Sequence, residues 1–393
     1  MIHKRLQKLN FFFEFFERNT LFPFYESVNN NTNGNITCNQ NTEEIGTYKN
    51  SINVVNFIPP YLDLKINKQS TPFRAFQVKP RLGYMIDLNA FANVDDYFKV
   101  QLGSRKKKTV LAGVKRLESC FDISYKMYFG EIDVLEYEFL FSEFERMITK
   151  RFEQRKQEHA GYKRWTLYKK SVYDLILKKR ASLFVIYNRK KAIVIDLNYH
   201  FENILDSAMS SYDIDYAKFG LGNIALIKQV EWCFDNDYKR VDMRWGEVPY
   251  KHVWCNVIEE YKCDVVYNKN IPTDMLLAFL VSKFLNLKKL LEGRKILPFK
   301  LNWVLRGKEP KAPIANIDGS LAYKLEDLDE LPSQENISPI DLNDTDFQFL
   351  RYPVYNYIYA SLEHAKNLNI YSINTEKNVY VIQGKSKLKK LIL

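Results

Sequence analysis

Apolar positions recur along this chain with two periods, and each switch between them marks an element. LGYMIDL at 82–88 reads as a strand, and Ser104 then caps a helix whose Val110, Leu111, Val114 and Leu117 share one face. FDISYKMYF at 121–129 alternates, with Ile123, Tyr125, Met127 and Phe129 on one side, as a half-buried strand does. Leu140, Phe144, Ile148 and Phe152 repeat at four-residue spacing in a long helix over 133–158, and RKQEHAGYKR at 155–164 is a charged break.

The pattern resumes near Trp165. Tyr168, Val172, Leu175 and Ile176 stripe a helix running to Arg180, and ASLFVIYN is an uninterrupted apolar strand of the kind found inside a sheet. Asn188 to Lys190 turns the chain into AIVIDLNYHF, a third strand follows at about 204–212, and Gly220 opens a helix over 223–237 before the strand RVDMRW. CNVIEEYKCDVVYN is a further strand region. Pro272 and Thr273 then start a helix in which Leu276, Leu280, Phe284, Leu287 and Leu291 form one stripe that ends at Gly293.

The two ends are less regular. FFFEFF at 11–16 suits a buried strand or a short helix, and VNNNTNGNITCNQNTEE at 28–44 reads as an Asn/Thr-rich loop with no pattern that buries a core. After residue 293, GKEPKAPIANIDG is Pro-rich and LEDLDELPSQENISPIDLNDTD is acidic, which predicts a linker or loop-rich segment. RYPVYNYIYASLEHAKNLN and NVYVIQG then read as a helix and a strand, expected to dock on the preceding domain.

Length and charge bound the function. A chain of 393 residues is long enough for two or three domains, and 58 Lys and Arg against 47 Asp and Glu give +11, which favours an anionic partner: CoA, nucleic acid, an acidic glycan or an anionic lipid surface. Cys38, Cys120, Cys233, Cys255 and Cys263 are scattered and contain no C-x-x-C pair, so they read as reduced core thiols. The N-terminus is interrupted by Glu14 and Glu17 and has no small-residue cleavage site, and MLLAFLVSKFL at 275–285 falls short of a bilayer span. A cytoplasmic protein without a transmembrane segment is expected. H-E-x-x-H, P-loop and G-x-S-x-G motifs are not present, which argues against a zinc hydrolase, a nucleotide-driven motor and an α/β-hydrolase, and no metal is expected.

The chemistry concentrates in residues 216–254, YAKFGLGNIALIKQVEWCFDNDYKRVDMRWGEVPYKHVW. Gly220 and Gly222 let the backbone approach an anion, and the helix that follows presents unpaired N–H groups and the positive end of its dipole. With the helix SRKKKTVLAGVKRLES at 104–119, the strand pair at 181–201, and the Gly-x-x-x-Tyr-Lys-x-x-Trp ending of Gly246, Tyr250, Lys251 and Trp254, this stretch resembles the GNAT superfamily of acyl-CoA N-acyltransferases. Within it the chain is most similar to the CelD-like branch, with FemAB-like tandem lobes. The usual lead residue of the GNAT pyrophosphate turn is Arg or Gln. Ala217 stands there in this chain, with Lys218 as a nearby charge.

The resemblance implies an α/β fold, an α+β mixed sheet in two tandem GNAT-like lobes with a C-terminal extension. The implied organisation is an N-terminal segment at 1–80, a first, degenerate lobe at 81–164, a second acyltransferase lobe at 165–293, and a linker and extension at 294–393. It also implies acetyl-CoA or another acyl-CoA as co-substrate and an amine acceptor, an amino sugar of polysaccharide or cell-envelope biosynthesis. Lys218, Gly220, Leu221, Gly222, Asn223 and Lys251 are the candidates for holding the donor. Tyr250 is the candidate acid for the leaving thiolate, and Glu247 and Asp242 are candidate bases. Arg244, Trp245, Trp254 and His200 are candidates for the acceptor. Each has a plainer reading beside this one: Asp242 and Arg244 share a strand face and can pair, the tryptophans can simply pack, and a lone histidine is usually structural. Two other readings stand: a FemAB-like transferase that takes its acyl group from a charged tRNA, with the basic surface holding RNA, and a binding module or scaffold in which Ala217 marks a decayed site.

Overall fold

A computed structural model describes residues 6–41, 45–68, 71–154, 164–293, 323–385 and 387–393. The expected charged break at 155–164, except Arg164, and the Pro-rich stretch at 307–319 lie outside the described residues. In chain order the strands before the first long helix are β1 (Leu6–Asn10), β2 (Tyr25–Asn30), β3 (Ile36–Cys38), β4 (Ile52–Ile58), β5 (Leu62–Ile66) and β6 (Phe73–Asp87), with the short helix α1 (Gly46–Lys49) before β4 and α2 (Val94–Tyr97) after β6. Then come α3 (Gly103–Cys120), β7 (Ile123–Tyr128), α4 (Val134–Gln154), α5 (Trp165–Leu177), β8 (Ala181–Asn188), β9 (Lys191–Phe201) and β10 (Ile204–Tyr212). The helix α6 (Leu221–Asp235), β11 (Arg240–Trp245), α7 (Pro249–Trp254), β12 (Val257–Asn268) and α8 (Pro272–Gly293) follow. The C-terminal part contributes β13 (Lys324–Asp327), β14 (Ile337–Pro339), α9 (Arg351–Ser361), β15 (Asn369–Ile373), β16 (Val379–Gln383) and β17 (Leu388–Ile392).

Among the described residues, nine strands form one mixed sheet in the order β1-β4-β12-β6-β11-β10-β9-β8-β7. Strands from the 81–164 and 165–293 intervals therefore lie in the same sheet, with β7 pairing antiparallel to β8. The long strand β6 sits between β11 and β12 and is antiparallel to both. Gly83 on β6 makes room for its neighbour: a Cβ there would lie 1.9 Å from the Tyr261 ring.

Alternation sorts side chains to the two faces of this sheet. One face carries the aromatic segment Phe11–Phe16, α4 and α5, with Phe12, Phe144, Trp165 and Tyr261 buried together. The FFFEFF run is thus helical at Phe13–Glu17 and serves as a plug rather than a strand. The other face is covered by α3, α6, α7 and α9, and farther along by α8 over β4, β6 and β12. The expected mixed α/β class holds, and the expected C-terminal extension carries a sheet of its own that the sequence pattern does not predict, ordered β13-β17-β16-β15-β14. α9 docks that extension beside the chain leading into the glycine turn, with the Tyr355 ring 4.6 Å from Tyr216 and Tyr359 5.1 Å from Phe219.

Three expectations need correction. Ser104 lies inside α3, whose N-cap is Leu102 without a side-chain bond. The Asn-rich stretch is a backbone-paired hairpin, β2–β3, tied to its surroundings by amide side chains: Asn30 Nδ2 donates to Glu202 at 2.6 Å and Asn31 Nδ2 to Asp63 on β5 at 2.8 Å. Four of the cysteines are buried, but Cys38 on β3 is exposed. No helix among the described residues is long and apolar enough to cross a membrane, and no group of three or more His, Cys, Asp or Glu there is placed to hold a metal ion.

Candidate active site

β10 and β11 run parallel and pair at three positions: Ile204 with Arg240, Leu205 with Val241, and Asp206 with Asp242. Beyond that point each continues its pairing on its far side, β10 with β9 after a bulge at Ser207/Met209, and β11 with β6 after one at Asp242/Trp245. Arg244 takes the second bulge in left-handed backbone, φ 60°. The strands part, and the edges that face each other past Asp206 and Asp242 have no strand partner among the described residues.

The glycine turn stands at the open end of this gap. Asp213 caps a short helix, Ile214–Phe219, through a bond from Asp215 N at 3.1 Å, and Gly220 ends it in left-handed backbone at φ 70°, where a side chain would strain the chain. Gly220 is at once the N-cap of α6, its carbonyl accepting from Asn223 N at 2.9 Å and Ile224 N at 3.3 Å. The N–H groups of Leu221 and Gly222 precede these first bonds, at the positive end of a 15-residue helix. Leu221 anchors the turn by burying its side chain. Gly222 is exposed, and a Cβ built there meets no atom within 4 Å. Lys218 and Asn223 are also exposed at this turn.

α7 forms the wall beside that helix. Trp254 is buried and its Nε1 donates to Asn223 Oδ1 at 3.2 Å, tying α7 to the first turn of α6. Tyr97 Oη donates to the Trp254 carbonyl at 2.6 Å, and Gln101 Nε2 to the carbonyls of Val253 and Cys255, each at 3.0 Å. On the first turn Tyr250 stays exposed. Partial burial, helped by Cys255 and Asp196 and opposed by Arg151, raises its phenol above its ordinary value, so it is protonated at neutral pH. Glu247 extends into solvent, 3.6 Å from His252 Nε2.

The other candidates turn to the opposite face or to the closed end. Asp242 is fully buried and accepts from Tyr61 Oη at 2.7 Å, Tyr261 Oη at 2.5 Å and Arg244 N at 2.7 Å, so its oxygens are committed to the fold. The Arg244 guanidinium does not pair with Asp242 as expected. It grips Asp206 with Nε at 2.8 Å and Nη2 at 2.5 Å, above the Phe12 ring. Trp245 stacks on Phe57 at 3.9 Å between ring centres. Lys251 does not reach outward for a phosphate. It is buried, donates to the Trp245 carbonyl at 2.8 Å, and burial lowers its ammonium to about 8. His200 sits across from Leu205, at the paired end of β10, with Tyr238 Oη 2.7 Å from Nδ1 and Ser182 Oγ 2.7 Å from Nε2. Burial, reinforced by Arg180, pushes it down to about 3, so it is a neutral core histidine rather than an acceptor contact.

Asp196 and Asp206 are the residues that sequence reasoning missed. Asp196 stands between Ile195 and Leu197 and Asp206 follows Ile204 and Leu205, both buried, and a buried carboxylate on a strand has to be partnered or functional. Asp196 Oδ2 accepts from Gln229 Nε2 on α6 at 2.6 Å, while its buried Oδ1 has no hydrogen-bond partner. Burial, against the pull of Ser210 and Gln229, pushes this carboxyl up from 3.8 to about 7. The folded state then holds a proton that the unfolded chain has released, so the contribution to stability is complete below about pH 4 and disappears as pH rises through about 7. An Asp196→Asn protein loses this part of the pH dependence, with a flatter urea midpoint between pH 4 and 8 than the wild type. Parallel profiles would show that the carboxylate is ionised throughout.

No curated protein matches the chain. Among solved structures, FemX is similar at 10% identity over 60% of this chain and 76% of that one, with a TM-score of 0.41. The C-terminal domain of a putative lysylphosphatidylglycerol synthetase from Agrobacterium fabrum is similar at 11% over 59% and 71%, and L-PGS from Bacillus licheniformis at 12% over 60% and 73%, each with a TM-score of 0.38. These likenesses are too distant to say anything of substrate. The segment that contains most of α3, the antiparallel strands β7 to β10, the glycine turn, β11 and most of α7 is another matter: residues 105–252 match the family model described as an acetyltransferase (GNAT) domain.

Proposed function

We propose that the protein is an acyl-CoA-dependent N-acyltransferase that moves an acetyl or longer acyl group to an amine. The observation that carries this reading is the parting of β10 and β11 beside a helix that opens on left-handed Gly220 and unobstructed Gly222. Backbone N–H groups of residues 221 and 222 suit a pyrophosphate, and the missing side chain at Gly222 leaves the room that close approach requires. The residues present therefore fit the co-substrate, whose thioester supplies the activated acyl group.

In this reading the unpartnered edges of β10 and β11 orient and polarise the thioester carbonyl. Tyr250, protonated and exposed on the first turn of α7, gives its proton to the departing thiolate. Glu247, exposed beside it, accepts the ammonium proton through water. Lys218 lends charge at the turn, and Asn223, fixed by Trp254, holds the first helical turn in place. Arg244, Trp245 and Asp242 brace the closed end of the gap from behind. By likeness to the CelD-like branch, the acceptor is an amino sugar or its nucleotide-linked form.

Calorimetric titration with acetyl-CoA, a longer acyl-CoA and free CoA tests the donor. Saturable micromolar binding is expected, and no heat with any of the three would overturn the reading and favour the RNA-dependent or scaffold alternatives.

A further inference from the structure

The apolar stripe of α8 faces solvent. Its inner side, with Ala278, Ser282 and Asp274 buried and Leu277, Val281 and Leu285 packed below, seats the helix on β6 and β12. The outer side carries Met275, Leu276, Phe279, Leu280, Phe284, Leu287 and Leu290, with Leu276 60%, Leu280 54% and Leu287 52% exposed. The helix is thus apolar on both sides, and seven large side chains on one surface form a patch rather than a scatter of single contacts.

Charge on this surface points to its occupant. The described outward positions from 275 to 291 include no carboxylate, and Lys283 lies near the centre of the stripe, its ammonium 5.2 Å from the Phe279 ring. Lys289, at the flank, pairs with Glu260. A second copy crossing antiparallel at the middle of the stripe would bring two Lys283 ammonium groups together with no carboxylate on the face to neutralise them. An anionic lipid surface suits the whole face, because leucine and phenylalanine enter the acyl boundary while the lysine stem lets its charge reach the headgroups. The chain's net charge of +11 acts in the same direction. With 22 residues, one side of which is committed to the sheet, α8 would lie in the plane of the interface.

We propose that the outer face of α8 docks the protein on anionic membrane surfaces. Flotation of the full chain with vesicles of phosphatidylcholine, with or without phosphatidylglycerol, tests this. The wild type floats with the phosphatidylglycerol vesicles and is released by salt. Leu276→Glu/Leu280→Glu/Leu287→Glu abolishes flotation without changing the thermal midpoint, since these side chains are exposed. Lys283→Glu, which leaves the apolar area intact, weakens binding on the order of tenfold. Failure of the wild type to float, flotation that survives the triple substitution, or a dimer in light scattering that the triple substitution dissolves would each overturn the proposal.

Discussion

A Gly222→Trp protein folds as the wild type does and no longer binds acyl-CoA. The glycine is exposed, its backbone is not left-handed and a Cβ built there meets no atom within 4 Å, so a side chain can start outward without a clash, and a helix tolerates tryptophan better than glycine. The same indole occupies the space in front of the first N–H groups of α6, where a pyrophosphate has to approach. Losing two charge-assisted hydrogen bonds lowers affinity on the order of a hundredfold or more. Calorimetry paired with a thermal melt separates the outcomes: an unchanged melt with lost binding supports the turn as the donor site, and unchanged affinity removes it. Gly220 is the poorer test, since at φ 70° any replacement strains the chain and confuses folding with binding.

Arg244→Leu is expected to cost about 3–5 kcal/mol of stability, the usual result of stripping one partner from a buried ion pair. The guanidinium neutralises Asp206 from 2.5 Å, and burial already pushes that carboxyl up to about 6 despite this contact. Without the arginine, Asp206 must either take up a proton or remain as a bare charge next to Asp242. An Asp206→Leu/Arg244→Leu protein should recover most of the loss, because it removes both desolvated charges together. Urea unfolding at pH 7 of the two single variants and the double variant reads this directly. A loss below about 1 kcal/mol for Arg244→Leu would mean that the pair is solvated like a surface ion pair.

Local pattern made much of the region from Trp165 to Asn268 legible. The fully apolar ASLFVIYN is β8, the Asn188 turn joins it to β9, and the glycine turn stands where the helix begins. Contacts between distant segments were not legible. Nothing in FFFEFFE says that Glu17 meets Arg164 at 2.9 Å, or that Tyr61 and Tyr261 converge on Asp242. The Asn-rich hairpin escaped notice because a short backbone ladder sets its register and amide side chains tie it to distant carboxylates such as Glu202, neither of which leaves an apolar alternation in the sequence. The stripe of α8 was legible as a pattern but silent about which side faces the sheet, since the helix is apolar on both.

The insertion of β6 between β11 and β12 also governs how the molecule can be made. Asp87 pairs with Arg240 and Met85 with Val257, so the wall of the gap formed by β11 is held by a strand synthesised more than a hundred residues earlier. Residues 105–252 include both strands that part at the gap but neither β6 nor β12, and a chain trimmed to that span would leave β11 with a raw edge. On the ribosome, β6 must wait for its partners while most of the acyltransferase-like segment is still being made. Closure of so long a loop makes folding slow and leaves β6, with its apolar Tyr84–Ile86 end, open to chaperones or to other nascent chains in the interval.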